Sequence, residues 1–211
     1  MHFDLDSTGP GIAYKLLVAT VMPRPIAWVV TKSAAGIVNL APFSFFNVMG
    51  DEPPTVVLGI SPGRDGGLKH SAQNILDSGE FVVNLVPFAL AGAMNLTSID
   101  APAGVSEAEL AGLDLTPSAK VAPPRVTASP VALECRLSHR LDTGPRQMLL
   151  VGEVLSIHIE DRFVLNAARG HVDTPGLDLV GRSFGADYVR TGEVFSLERP
   201  LWRDYTPKDR A

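Results

Sequence analysis

The chain has 211 residues, of which 45% are hydrophobic and 19% charged, with a formal net charge of -5. Such a length and composition suit one globular domain, 1–211, with a sizeable core, and exclude a wholly disordered chain. The acidic balance excludes a broad electrostatic footprint for nucleic acid, while a local basic patch for a phosphate stays open.

The opening "MHFDLDSTGPG" carries acids where an export signal needs a basic start and an apolar run, so a cytoplasmic protein is expected. No apolar run approaches the ~20 residues needed to span a bilayer. "PIAWVVT" has the β-branched and aromatic content of a strand, and Gly36 turns the chain into a second strand, "VNLAPF". Within "NLAPFSFFN", Asn39 to Asn47, Pro42 donates no ladder hydrogen bond and so belongs at an edge, a bulge or a strand end. The backbone is expected to turn out of the sheet there and expose its amides. Phe43, Phe45 and Phe46 then alternate between core and surface beside the polar groups of Ser44 and Asn47, unless all three rings are core.

"TVVLGI" is a further strand, and "SPGRDGG" a loop by its glycine and proline content. The period then changes: Leu68, Ala72, Ile75 and Leu76 recur at helical spacing, with Gly79 as the stop. "EFVVNLV" returns to strand and "FALAGAMNLTS" reads as a short apolar helix. Residues 99–128 are rich in Pro, Ala, Gly and Ser, with a small helix in "SEAELAGL", and are expected to pack on the sheet as an insertion. "SPVALECRLSHRLD" and "RQMLLVGEVLSIHIED" are long strands joined at "TGP", and their length suggests a curled sheet or barrel. With helices too few to separate every strand pair, the fold class is mainly β, a β-barrel with a few peripheral helices.

Three places could carry binding chemistry. At the loop-to-helix junction, Lys69, His70 and Ser71 set a cation, an imidazole and a hydroxyl beside unpaired helix amides, which suits a phosphate but also suits a solvated first turn. Ser44 and Asn47 are the second. Arg24, held extended between Pro23 and Pro25, presents a fixed guanidinium suited to phosphate oxygens, although an arginine without a role fits equally well.

Other signals are weaker. "GRSFG" at 181–185 matches a hydrolase nucleophile elbow, but every histidine lies upstream of Ser183, contrary to the order that fold needs. His158, Glu160 and Asp161 lack metal-ligand spacing, so no metal is expected. The lone Cys135 sits in an alternating strand and reads as a packing residue. The "NLT" sequon at Asn95 has no meaning in a cytoplasmic protein.

Taken in order, "RPIAWVVT", "NLAPFSFFN", "EPPTVVLGI", "KHSAQNI", "EFVVNL", "LECRL", "LLVGEV" and "GRSFGADYVRTG" resemble the flavin reductase-like family of FMN-binding split barrels. The similarity covers about residues 14–195. It implies a homodimer with FMN near the subunit interface. Ala41, Pro42, Ser44, Phe45 and Asn47 would line the isoalloxazine or ribityl chain, and Arg24, Lys69 and Ser71 would hold the phosphate, with His70 as a neighbour. The family often reads Lys-Asp-Thr where this chain has Lys69, His70 and Ser71, and Arg-Leu-Gly-Gly where Arg182 is followed by "SFG". Arg182 and Tyr188 are expected at the mouth of the site, for the phosphates and ring of a nicotinamide nucleotide; closing the barrel is their plainer role. The implied activity is NADH- or NADPH-dependent reduction of flavin, with electrons passed to a downstream acceptor and no catalytic acid or base. The alternatives are an FMN-binding electron carrier reduced by another protein, a flavoenzyme acting on a specific small organic substrate, or a cofactor-free binding or structural protein.

Overall fold

The computed structural model describes residues 1–9, 11–63, 66–144 and 147–202. The elements are α1 (Ile12–Thr20), β1 (Arg24–Pro25), β2 (Ala27–Lys32), β3 (Val38–Phe43), β4 (Phe46–Asp51), β5 (Pro54–Ile60), α2 (His70–Ser78) and β6 (Glu80–Asn84), then α3 (Ala91–Leu96), α4 (Glu107–Leu110), β7 (Leu115–Thr116) and β8 (Arg125–Val126). The chain continues through β9 (Val131–Gly144), β10 (Gln147–Ile159), β11 (Val164–Asn166), β12 (His171–Val172), β13 (Val180–Arg182) and β14 (Tyr188–Arg190).

Seven strands form one antiparallel sheet in the order β3-β2-β6-β9-β10-β5-β4. Its two terminal strands, β3 and β4, are consecutive in the chain and separated only by Ser44 and Phe45, so the sheet must curl until its edges meet. The Gly59 amide donates to the Phe45 carbonyl across 2.6 Å at that seam. This is a curled, mainly β barrel, as expected from the long strands, and of the split type that the family resemblance implies. Pro42 sits on β3, which among the described residues pairs only with β2, so its missing N–H breaks no ladder bond. The long strands β9 and β10 pair as read from sequence; the middle of their turn, residues 145–146, lies outside the described residues.

Two apolar clusters flank β2 and β6. Ala27, Val29, Phe81 and Val83 face an inner cluster with Leu58 and Leu150, whereas Trp28, Val30, Val82 and Leu40 face an outer one with Met94, Ala108 and Val126. Strand β2 is therefore covered on both sides, which explains the continuous apolar run of "IAWVV". Residues 99–128 supply part of the outer cover through Ala108, Val121 and Val126, and they do pack against the sheet.

Helix α2 contributes Ala72 and Ile75 to the inner cluster and stops at Gly79, whose φ of 73° and bond to the Ile75 carbonyl (2.9 Å) form the end. It starts two residues later than the periodicity suggests. Lys69 has extended ψ (149°), so Leu68 lies in the preceding loop and is exposed. Helix α1 has no counterpart in the sequence reading. Only Val18 of its nine residues is buried, so "IAYKLLVAT" lacks the one-sided apolar stripe by which surface helices are recognised. Among the described residues no helix is long and apolar enough to cross a membrane.

Candidate functional site

Two cavities open on either side of the β3 strand end and share Pro42, Phe43 and Ser98 in their walls. The first, about 540 Å³, gathers Ala41, Pro42, Lys69, His70 and Ser71. The second, about 450 Å³, gathers Arg24, Pro42, Ser44, Arg182 and Tyr188. Both volumes lie within the roughly 300–1,000 Å³ of small-molecule sites.

In the first cavity the N-terminus of α2 meets β3. The first intrahelical bond runs from the Gln73 amide to the Lys69 carbonyl (3.0 Å), so the amides of His70, Ser71 and Ala72 have no acceptor within the helix. Lys69 Nζ lies 5.6 Å above the Phe43 ring, which holds the cation over the cavity floor. Ser71 is buried and its Oγ accepts from the Asn39 amide (2.9 Å), leaving its own O–H to donate. Free amides, a cation and a hydroxyl at a helix start are the donor set that an anionic group such as phosphate requires.

Sequence reading missed Glu107, Asn39 and Ser98 in this site. Glu107 is buried, and its Oε2 accepts from the Leu40 amide (2.9 Å) on the free side of edge strand β3. The carboxylate thus takes the place of a neighbouring strand. No signal in "SEAELAGL" distinguishes Glu107 from Glu109.

The second cavity is walled by α1, β1, α3 and the β13–β14 hairpin. Arg24 is buried, and its guanidinium donates to the carbonyls of Val18 (2.6 Å), Val21 (3.0 Å) and Ser183 (2.9 Å). It therefore ties the end of α1 to the β13–β14 turn, and it does not share a cavity with Lys69 and Ser71. Burial, with the nearby Arg182 charge adding to it, lowers its pKa from the ordinary arginine value. Arg182 lies with its guanidinium 4.5 Å above the Tyr188 ring and donates to the Gly185 carbonyl.

Phe45 and Asn47 line neither cavity. Phe43 and Phe46 are core, whereas Phe45 is 38% exposed and packs at 6.2 Å on Tyr14, itself a wall of the second cavity. Asn47 is exposed on β4 and accepts from the Val48 amide (2.8 Å). Cys135 is fully buried, and its thiol pKa is pushed up to about 12 by burial and the adjacent Glu134.

Residues 19–175 match the flavin reductase like domain. The chain belongs to the flavin reductase-like family. It is 46% identical over 203 residues to an uncharacterized protein of Deinococcus radiodurans, covering 94% of this chain and 89% of that protein. Among solved structures, 2-nitrobenzoate 2-nitroreductase of Pseudomonas fluorescens is 31% identical, with a TM-score of 0.88 over 99% of this chain and 100% of that one. Nitrilotriacetate monooxygenase component B of Bacillus cereus is 29% identical, with a TM-score of 0.88 over 93% and 98%. Flavoredoxin of Desulfovibrio vulgaris, at 19% identity and a TM-score of 0.74 over 93% and 97%, shares the fold.

Proposed function

We propose that this flavin reductase-like protein binds FMN in the first cavity and uses NADH or NADPH to reduce it, passing the electrons to a downstream acceptor. The observation that carries this reading is the opening of the Lys69–Ser71 helix start onto the same cavity as Ala41, Pro42 and Phe43. There Lys69, His70 and Ser71 hold the phosphate and Ala41 and Pro42 flank the ribityl chain, while the ring reaches past the shared Pro42 towards Ser44 of the second cavity. FMN, when bound, supplies hydride acceptance and electron transfer. The chain's own part is to bind, orient and exclude water, which calls for no side-chain acid or base. Arg24 serves as the strut of the adjoining wall, and Arg182 with Tyr188 receives the nucleotide donor.

A homodimer completes the reading. Val48 and Met49 are each 64% exposed on β4, an edge strand, and native proteins cover such apolar edges. A second copy seated there brings Phe45 and Asn47 to the flavin near the interface. Light scattering of the purified protein at two concentrations tests this, and a strict monomer rejects it.

A second reading is favoured by the likeness to the Pseudomonas nitroreductase: the flavin acts on a specific small organic acceptor. One experiment separates the possibilities. FMN is added, unbound flavin removed, and the absorbance near ~450 nm followed anaerobically with each nucleotide. A retained band bleached by one nucleotide supports the reductase. A retained band that neither bleaches keeps the FMN site and transfers the reduction to a protein donor or a dedicated organic substrate, while no retained flavin and no FMN-stimulated turnover rejects the proposal.

A further inference from the structure

The second cavity has an unusual charge composition for this chain. The sequence carries 23 acids against 18 lysines and arginines, yet among the described residues the cavity wall contains Lys15, Arg24 and Arg182 and no aspartate or glutamate. The first cavity differs, because Asp100 and Glu107 stand in its wall with Lys69 and His70.

Arg24 sharpens the contrast. Its charge is buried, and its hydrogen-bond partners among the described residues are all neutral backbone carbonyls. A buried cation without an acid partner is costly, and three carbonyl dipoles offset that cost only in part. Arg182 and Lys15 add positive charge to the same wall, and neither has an ion-pair partner among the described residues. Such a wall attracts an anion and rejects a cation. The wall also carries the polar groups of Ser44, Asn95, Ser98 and Ser183, but much of it is apolar or aromatic, with Tyr14, Ile26, Met94, Phe184 and Tyr188, which suits an anion with a flat apolar body. Inorganic phosphate has no such body.

We propose that the second cavity binds a small planar arene carboxylate, its carboxylate held by Lys15 and Arg182 and its ring placed beside Tyr188 and Phe184. Arg24 acts behind them as a fixed positive charge. The inference rests on and deepens the second reading above, which leaves the organic acceptor unspecified; acceptor and nucleotide donor then occupy Arg182 and Tyr188 in turn. Binding itself does not require FMN, so the two can fail separately.

The test is calorimetric titration of the full chain with benzoate, with its uncharged counterpart benzamide, with inorganic phosphate and with NADH. Benzoate is expected to bind about ten-fold or more tightly than benzamide, a difference of about 1.4 kcal/mol. Arg182→Gln and Lys15→Gln are each expected to weaken benzoate by about three- to ten-fold, as is raising the salt to about 0.5 M. Lys15 is exposed, so its variant decides the matter if Arg182→Gln folds poorly. Equal binding of benzoate and benzamide overturns the proposal, as does benzoate binding indifferent to Lys15→Gln. Phosphate displacing benzoate at equal concentration overturns the arene class, and NADH binding without benzoate binding leaves the cavity to the nucleotide. FMN retention is measured on the same sample. Retained FMN without benzoate binding rejects this inference alone, and benzoate binding without FMN rejects the flavin reading alone.

Discussion

The guanidinium of Arg24 stands 2.6 Å from the carbonyl of Val18, and through that bond the first strand holds the end of a helix that otherwise buries one residue. Arg24→Gln is expected to release α1 and to destabilise the protein by about 1–3 kcal/mol, the usual loss for charge-assisted bonds to buried groups. Hydrogen exchange over residues 12–20 should accelerate while FMN retention changes little. Lost FMN with α1 still protected would instead assign Arg24 to the phosphate.

Lys69 carries the opposite expectation. Lys69→Ala removes the cation over Phe43 but no buried side chain, so FMN affinity should fall by about ten-fold with little change in melting temperature. Fluorescence titration of FMN checks it, and an unchanged affinity would move the phosphate elsewhere.

Ser71→Ala should act on stability as well as on binding. It leaves the buried Asn39 amide without its acceptor, at a cost of about 1–3 kcal/mol. Chemical denaturation reads the cost directly.

Glu107 ties residues 99–128 to the edge strand. Glu107→Ala strands the Leu40 amide and is expected to cost about 1–3 kcal/mol, whereas Glu107→Gln keeps an acceptor oxygen and should cost less. Equal losses in the two variants would show that the charge, not the bond, matters.

Cys135 sets an alkaline limit. Its thiol pKa is raised from 9.0 to about 12, so the folded state holds the proton more tightly than the unfolded chain. That contribution is complete below pH 9.0 and is lost as pH rises towards about 12. Stability should fall through this window, with a shallower slope in Cys135→Ala. A thiol reagent at neutral pH should label the cysteine only after unfolding; rapid labelling of the native protein would refute its burial.

Some features follow from local chemistry alone. Alternation and β-branching marked the strands, Gly79 marked the end of α2, and Pro42 marked an edge because a proline lacks the donor that an inner strand needs. The blocks from "RPIAWVVT" to "GRSFGADYVRTG" identified the family, and Lys69 with Ser71 stood out beside a helix start. Helix α1 did not, because its nine residues bury only Val18 and show no stripe.

Pairings between distant segments were settled only by the tertiary structure. Glu107 and Leu40 lie 67 residues apart, and Arg24 and Ser183 lie 159 apart. No periodicity in either segment encodes its partner. The sequence by itself determined which residues prefer strand, helix or turn, since those preferences depend on each side chain and its neighbours. Closure of the sheet between β3 and β4 decided that Arg24 would brace one cavity while Lys69 opened onto another, because hydrogen-bond direction and burial are properties of the assembled barrel.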